Sequence, residues 1–124
     1  MKLALYVAAF LLALVGVAHS WLGERYILQR LFRREDLPKL FGSSAFTTRT
    51  LRFAWHITSV AWWGHAAILV LLAHPPLRAG DVGLAIGCTF LIHCAIALIG
   101  SRGRHLSWVA FLIIGCLVIY ATRT

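Results

Sequence analysis

Four long apolar runs, at residues 3–22, 53–73, 82–100 and 106–122, dominate the chain and leave it few folds. A helix needs roughly 17–25 such residues to cross about 30 Å of hydrocarbon. The first three runs meet that length, and the fourth does if its helix continues to Arg123. In hydrocarbon the backbone must satisfy its own polar groups within each segment, so each run is read as a helix. The composition agrees, at 60% hydrophobic and 13% charged residues with a mean hydropathy of +0.82. A soluble domain has about 45–50% apolar and about 25% charged residues. The expected fold is an all-α membrane protein, one integral domain over residues 1–124, built as an antiparallel bundle of four transmembrane helices. Short connections after the second and third runs make the last three helices sequential antiparallel neighbours.

The first run can also be read as a signal sequence, because Gly16-Val17-Ala18 makes a passable small-residue cleavage site. Its length, and the arginine-rich stretch that cleavage would send across the membrane, favour a retained helix.

Charge sets the expected orientation. The connection 23–52 holds Arg25, Arg30, Arg33, Arg34, Lys39, Arg49 and Arg52, and the connection after the third run holds Arg102 and Arg104. Lys2, Arg78 and Arg123 fall on the other side. Short basic loops stay cytoplasmic, which puts both termini outside and suggests a bacterial-type inner (plasma) membrane. Trp21, Trp55 and Trp108 then fall at cytoplasmic helix ends, where amphipathic rings prefer to sit. The net charge of +8 reads as topology and as contact with anionic headgroups, through Arg25, Arg30, Arg33, Arg34 and Lys39. No nucleic-acid-binding module accompanies the basic loop, so nucleic acid is not an expected partner.

The connection 23–52 is too long for a simple turn. Tyr26, Ile27 and Leu31 separate from the arginines on a helical pattern, which Pro38 interrupts before Leu40 and Phe41. The segment is expected to be an ordered amphipathic helix lying along the cytoplasmic surface.

Six histidines carry whatever chemistry the chain has. His56, His65 and His74 are nine residues apart, and nine residues turn a helix by about 900°, so neighbours in this series face opposite ways. One helix cannot gather them, and any site must be shared between helices. Counting depth at about 1.5 Å per residue sorts them into layers. His19, His56 and His105, with Glu24 one turn beyond His19, share the inner layer; His65 and His93 share the middle of the bilayer. His74 stands alone at the outer surface beside Pro75-Pro76. An ionisable group at mid-depth is costly and usually faces other helices, so His65 and His93 are expected to be buried in protein. Thr89, Ala97 and Gly100 give the His93 face little bulk, leaving room for a flat group between facing imidazoles. Such imidazole pairs are the usual axial ligands of haem b, and a transition metal is the related possibility.

Cys88, Cys94 and Cys116 all lie inside spans, without the CxxC or CxxCH spacings of zinc or covalent haem sites. The four carboxylates are too few and too peripheral for a di-iron centre. No Ser-His-Asp set, phosphate-cradling loop or nucleophile motif occurs. Three functions follow as expectations: an accessory or structural membrane component, in a larger membrane complex or a homo-oligomer; a histidine-liganded haem b or metal-binding redox protein; and a small dimeric transporter. The last lacks a membrane carboxylate for coupling, leaving only His65 or His93 as a relay.

Overall fold

The computed structural model describes all 124 residues, and every regular element in it is a helix. We label them α1 (Lys2–Leu31), α2 (Ala45–Leu72), α3 (Ala79–Ser101) and α4 (Ser107–Arg123). The first three are long and apolar enough to cross a membrane, and α4 is a shorter apolar helix. The only prolines, Pro38, Pro75 and Pro76, lie in connections, where they interrupt no helical hydrogen bond. At the end of α3, Arg102 and Gly103 both take positive φ, and the Gly103 N–H closes on the Leu98 carbonyl at 2.8 Å. That six-to-one bond is the usual stop signal of an α-helix.

Residues 23–52 depart from the expected surface helix. The first helix runs on to Leu31 and the second begins at Ala45, so only residues 32–44 connect them. Between Gly23 and Leu28 α1 widens into a π-helical turn, with Gly23 and Leu28 buried. Wide turns of this kind occur mostly as single insertions within an α-helix, frequently at functional positions. Pro38 begins no flat helix; its carbonyl accepts the Thr47 hydroxyl at 2.8 Å and ties the connection to α2.

The helices pack in chain order as a row: α1 on α2, α2 on α3, α3 on α4. No packing joins α1 to α3 or α4, or α2 to α4, so one chain does not close into a bundle. Each seam depends on glycine. At Gly16 and Gly23 a Cβ would run into the indoles of Trp63 and Trp55. The N–H edges of those rings reach α1 and donate to the carbonyls of Ala13 and His19 at 3.1 and 3.0 Å. Gly64 faces Thr89 and Gly100 faces Phe53 between α2 and α3. Gly83 faces Thr122, and Gly87 and Gly115 meet across the α3–α4 seam. Glycines at these places let backbones or large rings approach closely, as in small-residue helix interfaces within membranes.

Only 16 of 124 residues are buried, and large apolar side chains such as Phe10, Trp21, Ile99 and Leu117 are exposed on both outer and inner helices of the row. A soluble monomer rarely exposes continuous apolar surface on this scale.

Candidate functional site

One cluster of polar residues lies at the basic end of the row, where α1 packs on α2. The Ser59 side chain is fully buried, and its hydroxyl is bonded to that of Ser20 at 2.8 Å. Ser20 Oγ lies 2.9 Å from His56 Nδ1, and His56 Nε2 lies 3.3 Å from Glu24 Oε2. Arg52 completes the chain with an ion pair to Glu24 at 3.1 Å and a face-on contact with Phe32 at 4.9 Å. The π-helical turn of α1 carries Glu24, and the adjacent Gly23 allows Trp55 to seat beside it.

This chain can exist with His56 neutral or charged. With a neutral ring, Nε2–H donates to Glu24 and Nδ1 accepts the Ser20 proton, while Ser20 accepts from Ser59. With an imidazolium both nitrogens donate, and the two hydroxyls reverse. A hydroxyl rotates to suit its partners, so both patterns fit the same heavy-atom positions.

The Glu24 carboxylate is the junction of the cluster, taking bonds from both Arg52 and His56. Glu24→Gln should therefore weaken the α1–α2 seam. Both partners are partly exposed, which limits the expected loss to about 1 kcal/mol. The check is the unfolding midpoint in micelles at low and high salt; the difference from wild type should shrink as salt screens the pair. An unchanged midpoint at low salt would show that the cluster holds nothing together.

The inner-layer residues do not form one site. Glu24 and His56 meet, but His19 turns to the other side of the seam, stacked on Trp55 at 4.5 Å and edge-on to Trp62 at 4.9 Å. His105 sits in the α3–α4 connection, bonded to Ser107 Oγ at 2.8 Å and packed edge-on against Phe53. No group of three or more His, Cys, Asp or Glu side chains gathers as a metal site. At the opposite end, His74 Nε2 and the Tyr6 hydroxyl are 3.0 Å apart and link α1 to the connection that follows α2.

The two histidines expected at mid-depth border the same cavity. His65 and His93 line one cavity of about 320 Å³ between α2 and α3, with Gly64, Thr89 and Phe90. His65 is exposed, and its Nδ1 is 2.7 Å from the Ala61 carbonyl one turn back, which fixes the proton there and leaves Nε2 free. His93 is 5% exposed, between the edges of Phe90 and Phe111, and its buried Nε2 has no partner. The expected burial holds for His93 and not for His65.

Of the arginines expected at headgroups, Arg30 and Arg33 are exposed, as is Lys39, and Arg25 leans over the Tyr26 ring at 5.7 Å. Arg34 is instead taken up by a two-pronged pair with Asp36, at 2.8 and 2.6 Å. That hydrogen bond holds the Asp36 carboxyl below its usual range.

Sequence reasoning did not single out Ser20, Ser59 and Arg52. A hydroxyl inside an apolar run reads as a space-filler, and Arg52 reads as one loop cation among seven. Only the register of α1 on α2 reveals them. Comparison with known protein families, with curated proteins and with solved structures finds no match.

Proposed function

We propose that the chain is a small integral membrane protein acting as an accessory or structural component, with both termini outside and the basic connections at the cytoplasmic face of an inner (plasma) membrane. One observation carries this reading: the polar side chains inside the row are used to hold helices to one another. His19 stacks on Trp55, His56 joins Ser20 and Glu24, His74 joins Tyr6, His93 meets Phe111, and His105 packs on Phe53. Only His65 keeps to its own helix. The exposed apolar surface supports insertion, since lipid tails solvate it at no cost. The row supports the accessory role, because α1 and α4 each pack on a single neighbour. Their free sides are the surfaces that a larger complex or a second copy would cover, completing the bundle.

A second reading, a histidine-liganded haem b or metal protein, is favoured by His65 and His93 lining one cavity while the Nε2 of each ring is without a partner. A ligating imidazole commonly gives its other nitrogen's proton to a backbone carbonyl, as His65 does to Ala61. Against it stands the cavity's size, at the low end of the about 300–1,000 Å³ typical of ligand pockets.

A visible spectrum and elemental analysis of the purified protein separate the two. The expected result is a colourless protein without stoichiometric iron, copper or zinc, which runs with a partner or a second copy after crosslinking in the native membrane. A Soret band lost on His93→Ala would overturn the accessory reading in favour of the second.

A further inference from the structure

A groove of about 730 Å³ runs between α2 and α3, and none of its lining residues belongs to the histidine cavity. Its two ends differ in chemistry. Arg49, Arg52 and His56 line one end, and along α3 the walls are Leu91, Ile92, Ala95, Ile96 and Ile99. We propose that this groove binds one anionic phospholipid of the cytoplasmic leaflet, with the phosphate between Arg49 and Arg52 and an acyl chain along α3. The proposal rests on the membrane reading above.

Three features favour this occupant over a protein segment. The first is charge. The chain has twelve Lys and Arg against four Asp and Glu, so anions must come from elsewhere. Arg52 already has Glu24, but no carboxylate lies within ion-pairing distance of Arg49. A phosphate diester offers Arg49 its missing partner and gives Arg52 a second acceptor. A guanidinium has five N–H donors, so one carboxylate does not exhaust Arg52.

The second is length. The α3 wall extends from Cys88 to Gly100, which at about 1.5 Å per residue is roughly 18 Å. One leaflet of hydrocarbon is half of about 30 Å. An acyl chain rooted at the arginines therefore finds apolar wall through the full depth of its own leaflet.

The third is depth. Phe53 packs against Gly100, which brings the start of α2's apolar stretch level with the end of α3. Arg49 lies one turn beyond Phe53, at the level of the connection between α3 and α4. A phosphate is expected at that height, and basic pockets between helices on the cytoplasmic side are where anionic headgroups bind.

The experiment uses the full chain in a neutral maltoside micelle, with native mass spectrometry reading bound lipid and intrinsic tryptophan fluorescence reading the melting midpoint. Phosphatidylglycerol should remain on the protein in a one-to-one complex and raise the midpoint. Phosphatidylcholine and inorganic phosphate should do neither, the first lacking net charge and the second lacking a chain. Arg49→Gln should weaken phosphatidylglycerol retention by about tenfold or more, equivalent to at least one charge-assisted bond. Arg33→Gln, the same charge change on the exposed connection between α1 and α2 and away from the groove, should leave this one-to-one retention unchanged. Ile96→Trp, which fills the groove without touching charge, should reduce it too. Equal retention of the two lipids, or an equal loss in Arg33→Gln and Arg49→Gln, would reduce the effect to general surface attraction and overturn the site. Stabilisation by inorganic phosphate alone would equally overturn it. A chain that stays helical and monodisperse with no detergent would fail the membrane reading itself, a result visible before any lipid is added.

Discussion

Gly115→Leu should lower stability by about 3 kcal/mol, the upper end of what overpacking a helix seam costs. A Cβ at this position would lie 2.9 Å from the Leu91 side chain and 3.0 Å from the Gly87 carbonyl oxygen. Leu91 can rotate away. The Gly87 carbonyl cannot, because it belongs to the α3 backbone, and a Cβ at Gly87 would in turn meet the Gly115 carbonyl at 3.0 Å. Main chain meets main chain there, with the Leu91 and Ile119 side chains packed on either side. Leucine is also a better helix former than glycine by up to about 1 kcal/mol, which offsets part of the loss. What remains falls on α4, whose only packing partner is α3. The unfolding midpoint in micelles should drop, and residues 102–107 should become open to protease. Leu117→Ala serves as the control. That side chain is exposed, so its loss should cost no more than about 0.5 kcal/mol. If Gly115→Leu stays within that same margin of wild type, the close α3–α4 approach is wrong.

The glycine pair also shows how far the sequence can be read. Gly83 and Gly87 stand out as a small-residue face on an apolar helix, and both do lie at a seam. The partners on α4, Thr122, Ile119 and Gly115, do not announce themselves, because a lone glycine among large residues has no periodicity. The helices themselves were legible for a simple reason: uninterrupted apolar length admits no other backbone that satisfies itself. Their ends were less so. Gly23 directly follows the first apolar run, yet α1 passes through it as a π-helical turn, and the Trp55 indole sits where a side chain would be. Depth counting brought Glu24 to His56, and His65 to His93, since both pairs depend only on rise per residue and alternating direction. It did not separate His19 from His56. That depends on which side of the α1–α2 seam each ring leaves, and adjacent positions on a helix diverge by about 100°. Whether four helices form a ring or a row depends on which outer faces attract one another, and α1 and α4 both expose large apolar side chains.

His93→Phe should raise stability by about 1–2 kcal/mol, an unusual sign for a change at a buried position. The orphan Nε2 is the reason: leaving a buried polar atom without a partner costs about 1–3 kcal/mol, which an apolar ring does not incur. Phenylalanine keeps the edge contacts that the imidazole makes with Phe90 and Phe111, both at 5.5 Å between ring centres. The cavity shared with His65 gives the larger ring space, so overpacking is not the expected response. The second functional reading requires the opposite sign, because His93 would then be a ligand and its removal would release whatever it holds. His65→Phe sharpens the contrast. His65 is exposed and bonded only to its own helix, so its replacement should change little, and the double variant should equal the sum of the singles within about 0.5 kcal/mol. Two ligands of one bound group behave otherwise: once the first is lost, removing the second costs almost nothing further. A stabilised, additive pair is the expected result, read from unfolding midpoints in the same micelle. A destabilised, strongly non-additive pair would mean that the free imidazole nitrogens hold a group between them, and that the accessory reading had mistaken a ligand site for packing.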